Sequence, residues 1–255
     1  MGGGGFTMEA SSALDDFILG LAAAREPRIC FLPTASGDPD AHIARFHGAF
    51  ADKVCQPSFL SLFRLGGGQA PPVPLRELLL SQDIVYVGGG SMRNLLAIWR
   101  VHGLDEILRE AWERGVVLAG LSAGAMCWFQ WGVTKSSGVP EPVEGLGLLP
   151  GSLTVHADGE PERGPVHRAS VGAGVMPGGW EADDGVGLLF RGTRLERVVS
   201  SRPDARAQRI ERMGDDVVCV PLLPTYLPGA PCAAERPVPA DIQEFRAARY
   251  AGLRD

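Results

Sequence analysis

The chain has 255 residues, of which 45% are hydrophobic and 21% charged, enough apolar material for one large core or two small ones. Its 24 basic and 30 acidic side chains leave a formal charge of −6, without the basic excess that carries electrostatic nucleic-acid binding. No apolar stretch nears the ~18–20 residues of a membrane span.

The opening MGGGGFTMEASS has neither the basic nor the apolar region of a signal peptide. The five cysteines (Cys30, Cys55, Cys127, Cys219, Cys232) are odd in number and show no C-x-x-C spacing, which argues against a disulfide framework or a zinc site. The expectation is a cytoplasmic protein with no membrane or nucleic-acid partner. Gly2 to Gly5 read either as a flexible terminus or as the loop after a strand that would lie upstream of Met1.

A helical pattern covers 13–24. RICFLPT (28–34) reads as a buried strand and ASGDPD as a turn. Helix periodicity returns over 41–53, and PSFLSLF (57–63) suggests a second strand. GGGQAPPVP is a loop and LRELLLSQ a short helix. DIVYVGGG (83–90) is a β-branched run ending in three glycines, helices are expected over 92–101 and 104–114, and GVVLAG (115–120) is another strand. Strands alternate with helices and are continuous apolar runs. Both features predict a single doubly wound α/β domain over 1–227, with a mostly parallel central sheet flanked by helices. Beyond about residue 130 glycine and proline become frequent. GLGLLPGSLTVH, VGLLF, LERVVS, AQRIERM and VVCVPLL then read as a closing, partly antiparallel half. Residues 228–255 read as a Pro/Ala-rich tail with a short helix over 241–252.

GLSAG (120–124) fits G-x-S-x-G, entered from the apolar run VVLAGL and left through the helix-forming AMCWFQ. A serine at a sharp strand-to-helix turn has its hydroxyl pushed outward, with backbone N–H groups nearby to hold an oxyanion. A nucleophilic serine needs a base. His42 and His47 fall on a helix, His102 in a helix–helix turn and His167 in an irregular stretch. His156 ends the strand-like SLTVH, where active sites gather in open α/β sheets, and is favoured. Its acidic partner is sought among Asp158, Glu160, Glu162, Asp183 and Asp184. Asp183-Asp184-Gly185 lies on a tight turn between buried segments, a pattern that a plain Asp-Gly hairpin also explains.

VGGGSMRNLLAIW, AGLSAGAMCWF, GLLPGSLTVHADGE and EADDGVGLLF, in this order, resemble the peptidase E and cyanophycinase family of serine peptidases, family S51. The resemblance spans roughly residues 2–227 and implies a sheet similar to that of class I glutamine amidotransferases. It implies Ser122 as nucleophile, His156 as base and Asp184 as the acid, with oxyanion donors at Ala123 and at Gly89 or Gly90. It implies a small peptide as partner, no metal or other cofactor, and leaves a homodimer open. Peptidase E cleaves dipeptides with amino-terminal aspartate, so a cation should face that side chain, and Arg163 and Arg168 are the candidates. The chain departs from the family in three places. Ser91 replaces an asparagine that shapes the substrate side, the acid is Asp rather than Glu, and Lys135 stands where an acidic residue is frequent. Two other readings compete: a small-acid-binding regulatory protein without turnover, and an α/β-hydrolase esterase using Glu141 or Glu144.

Overall fold

The computed structural model describes residues 1–9, 11–63 and 73–229. The tail over 228–255 with its helix, Cys232 and most of GGGQAPPVP fall almost wholly outside the described residues.

Four strands form the first sheet: β1 (Arg28–Leu32), β2 (Gln56–Phe59), β3 (Ile84–Val87) and β4 (Val117–Gly120). Their order is β2-β1-β3-β4, and every pairing is parallel. The connections are α2 (Asp40–Phe50), α3 (Leu75–Leu80), α4 (Met92–His102) and α5 (Leu104–Glu113), with α1 (Ala13–Leu19) preceding β1. The continuous apolar runs have the physical cause expected of them. Cys30, Leu32, Val85 and Val87 point into a core with Leu79, Leu95, Trp99 and Leu108 of α3, α4 and α5. Ile29, Phe31, Ile84 and Tyr86 point the other way, into Ile18, Phe46 and Phe50 of α1 and α2. Alternate side chains of one strand therefore serve two cores, which only helices on both faces can bury. The fold is α/β with a mostly parallel sheet arrangement.

The second half builds sheets of its own. The helix leaving Ser122 is only α6 (Ala123–Met126), after which the chain becomes β5 (Phe129–Thr134). With β6 (Glu141–Glu144), β7 (Leu149–Val155), β8 (Gly179–Ala182), β11 (Ala207–Met213) and β12 (Asp216–Leu222) it forms a six-stranded sheet. β5, β7 and β8 are parallel neighbours, while the remaining pairings are antiparallel. A small third sheet holds β9 (Val186–Arg191), β10 (Arg194–Ser200) and β13 (Thr225–Tyr226). The stretch expected to be irregular around His167 is α7 (Arg163–Gly172). Its Gly, Pro and valines hide a helical signal, but Arg163, His167 and Val171 recur four apart and are all buried, which supplies the missing face.

The glycine-rich start is packed rather than loose: Gly2 to Thr7 are buried. The Met1 amino group donates to the Gly120 carbonyl at 2.8 Å and the Gly2 N–H to Val186 O at 2.9 Å, so these residues run between β4 and β9. A cavity of about 360 Å³ opens beside them, lined by Leu14, Trp112, Trp128, Phe129 and Phe190 among others. Among the described residues no helix is long and apolar enough to cross a membrane.

Candidate active site

Ser122 lies two residues beyond the end of β4 with φ 53° and ψ −118°, a backbone conformation that costs an L-residue free energy and concentrates at functional sites. The flanking residues show why this turn needs its glycines. A side chain on Gly120 would collide with the Gly124 carbonyl, and one on Gly124 with the Val87 carbonyl. The Ser122 N–H is shared between the carbonyls of Met1 and Gly2, at 3.2 and 3.0 Å. Ala123 is the first residue of α6, so its N–H has no acceptor within the helix. Gly89 packs on the Ser122 turn: a side-chain carbon there would sit 3.1 Å from Ser122 Cβ. Gly90, at φ 141°, lies against the Ala35 carbonyl.

His156 follows β7 and also has positive φ, at 58°, with its carbonyl accepting the N–H groups of Gly159 and Glu160. Its Nε2 is 2.8 Å from Ser122 Oγ, and its Nδ1 is 2.5 Å from Asp184 Oδ1. The parallel pairing of β7 with β8 brings the histidine and the acid to the same level, and Ala157 N–H bonds across to Ala182 O. Asp184 faces the imidazole. Asp183 turns away, its carboxylate accepting the Arg206 N–H at 2.8 Å. Asp158 also stands off the histidine. It accepts the Asp184 N–H at 2.9 Å and Arg202 Nη1 at 2.7 Å, and the same Arg202 nitrogen reaches the Asp184 carbonyl at 3.3 Å. Burial acts upward on the Asp158 carboxyl, but the Asp184 N–H and the Arg202 guanidinium outweigh it and hold it below the usual range. Arg202 was not singled out from sequence; its turn, SRPD, carries no local signal of a partner 44 residues away.

Three expected substrate-side residues are committed elsewhere. Ser91 caps α4, its hydroxyl accepting the Asn94 N–H at 3.2 Å. Arg163 is 2% exposed. Its Nε donates to Glu160 at 2.7 Å and its Nη1 to Val133 O at 2.8 Å. Arg168 Nη1 donates to both Glu181 oxygens, at 3.1 and 3.0 Å. Both guanidiniums expected to face a substrate carboxylate are paired with a carboxylate of the protein, Arg163 with Glu160 and Arg168 with Glu181. Lys135 is likewise buried, with Nζ 2.5 Å from Glu162 and 3.7 Å from Glu160. Cys127, next to α6, donates to Gly124 O at 3.2 Å, and burial pushes its thiol well above the ordinary value. It therefore stays protonated and unreactive. Among the described residues no cluster of three or more His, Cys, Asp or Glu side chains is arranged to hold a metal.

The model of peptidase family S51 matches residues 1–198. The chain belongs to peptidase family S51. It is 46% identical over 228 residues to an uncharacterised peptidase, YgaJ, of Bacillus subtilis (strain 168), covering 89% of this chain and 97% of that protein. A shorter match, 33% identical over 109 residues, joins it to imidazole glycerol phosphate synthase subunit HisH of Geobacillus thermodenitrificans (strain NG80-2), covering 41% of this chain and 49% of that protein. The crystal structure of a peptidase from an acI-B1 Actinobacterium has the same fold, with a TM-score of 0.66 at 20% identity over 86% of this chain and 92% of that one. Family and relative together make this S51 member a peptidase.

Proposed function

We propose that this S51 member is a serine-type peptidase acting on small peptides through an acyl-enzyme. The observation that carries the reading is the continuous hydrogen-bonded line from Ser122 Oγ through His156 to Asp184. Asp184 accepts from Nδ1–H and so fixes the tautomer whose Nε2 is free to take a proton. As Ser122 attacks the scissile carbonyl, its proton passes to His156, which then delivers it to the leaving amine. The oxyanion is received by the Ala123 N–H and by the Gly89 or Gly90 N–H. One such donor is typically worth ~3–4 kcal/mol in the transition state. Water then repeats the attack and releases the acid. Asp184 is a methylene shorter than the family's Glu, and its backbone, pinned by Asp158 and Arg202, lets the shorter arm reach.

Substrate preference follows from charge. An amino-terminal aspartate needs a facing cation, and the two arginines expected to supply one are bonded to Glu160 and Glu181. The proposed substrates are therefore short peptides without that acidic requirement.

A fluorophosphonate probe tests the mechanism. Ser122 in the native protein should be labelled and Ser122→Ala should not, with hydrolysis of a dipeptide library falling by about 10⁴-fold or more in the variant. Labelling that persists in Ser122→Ala sinks the assignment. Peptide binding with neither labelling nor turnover favours the regulatory reading.

A further inference from the structure

Behind the proposed relay lies a second serine–histidine–carboxylate line. Ser152 Oγ is 2.8 Å from His167 Nε2, and His167 Nδ1 is 3.2 Å from Glu181 Oε1. Ser152 and His167 are each 0% exposed and Glu181 2%, so no substrate reaches them. Counting protons separates this line from the first. The Ser152 hydroxyl has one proton, and the Pro177 carbonyl, 2.8 Å away, can only accept it. The Ser152 oxygen must then accept from Nε2–H. On the other side, both Glu181 oxygens already accept N–H groups from Arg168, and Oε2 also accepts from Gln208. That carboxylate is ionised and accepts from Nδ1–H as well. Both ring nitrogens of His167 thus donate, which only the charged imidazole can do. Facing it are Ser152 of β7, Glu181 of β8, Arg168 of its own helix and, through Glu181, Gln208 of β11.

We propose that His167 is a positioning residue held as a buried imidazolium, which clamps β7 to β8 and thereby sets the hydrogen bond between His156 and Asp184. The clamp joins the two strands just upstream of those side chains: Ser152 lies on the strand that ends before His156, and Glu181 on the strand that ends before Asp184. Burial acts upward on Glu181, yet the bonds from His167 and Gln208 and the Arg168 charge outweigh it and keep its carboxyl below the usual range. The catalytic half of this inference rests on the proposed function; the protonation half does not.

The test uses the full chain with ¹⁵N-labelled histidine. In the native protein both His167 ring nitrogens should read as protonated. His156 should show a far-downfield Nδ1 proton from its bond to Asp184. In His167→Gln the fluorophosphonate labelling rate of Ser122 should fall about tenfold to a hundredfold, and the His156 downfield proton should weaken. His167→Gln/Glu181→Gln, which replaces the ion pair between the strands by two neutral amides able to bond each other, should recover part of that rate and of that resonance. A His167 ring with one bare nitrogen overturns the inference, and so does a folded His167→Gln with native labelling rate and an unchanged His156 proton. Should His167→Gln not fold, the double variant and the native nitrogen spectrum decide. A native protein whose Ser122 never labels defeats the proposed function, while the nitrogen spectrum still rules on the imidazolium.

Discussion

Ser122 carries backbone strain that the proposed chemistry uses and the protein's stability does not. At φ 53° and ψ −118° the residue stands where L-side chains cost about 1–3 kcal/mol. Ser122→Gly removes that cost but adds unfolded-state entropy of roughly 0.5–1 kcal/mol. The expected outcome is an inactive protein whose urea midpoint corresponds to a net gain of about 1 kcal/mol. A loss of stability would show that the hydroxyl's bond to His156 outweighs the backbone term. The same residue marks how far the site was legible in sequence. G-x-S-x-G states a steric demand, and the structure shows it as collisions that side chains at Gly120 and Gly124 would cause. His156 was legible as the end of an apolar run. The choice between Asp183 and Asp184 was not, because it depends on which carboxylate the turn presents to a histidine 28 residues earlier in the chain. The pairings of Arg163 and Arg168 are hidden in the sequence for a related reason. A surplus arginine and a neutralised one look alike until Glu160 and Glu181 are placed beside them.

Among the elements, β7 and β8 matter most, since their register aligns His156 with Asp184. Gly179 pairs with Ser152 across this ladder, and any side chain there would collide with the Ser152 carbonyl. Gly179→Ala must push the strands apart. It should destabilise the fold by about 1–3 kcal/mol and also lower the Ser122 labelling rate, measured by denaturant titration and probe kinetics on one sample. An alanine variant with native stability and native labelling would mean that the register tolerates more slack than the geometry implies. The elements of the first half could be read because β-branched runs and amphipathic helices alternate cleanly. β8 and α7 could not. GWEA is too short to show a period and contains a glutamate that belongs to the core. α7 opens with an arginine that is itself buried.

For the whole molecule the sharpest electrostatic signature lies away from the proposed chemistry. Asp15 on α1 is 1% exposed and accepts a hydrogen bond from the Tyr86 hydroxyl at 3.2 Å. Burial pushes its carboxyl up from 3.8 to about 7, with the Tyr86 bond pulling back only part of the way. In the unfolded chain this proton leaves near the ordinary carboxyl value, so between about pH 4 and 7 Asp15 holds more of its proton in the native state than in the unfolded one. Its contribution to stability should therefore fall as pH rises through that window, by roughly 4 kcal/mol at most, whereas the buried Met1 amine, held down from 8.0 to about 5, contributes in the opposite direction between about pH 5 and 8. Asp15→Asn should remove this contribution, so the stability of the native protein relative to the variant should fall across the window in a series of denaturant midpoints. Glu9 and Asp183, also raised by burial, are common to both proteins and drop out of the difference. A difference that rises over the same interval would contradict the assignment. The three separate sheets have a consequence of their own. The Ser122 hydroxyl hangs from the four-stranded slab, whereas His156 and Asp184 hang from the six-stranded one. Sliding of about an ångström between these slabs carries their 2.8 Å contact out of hydrogen-bonding range, so the proposed chemistry would register misalignment before the molecule comes apart.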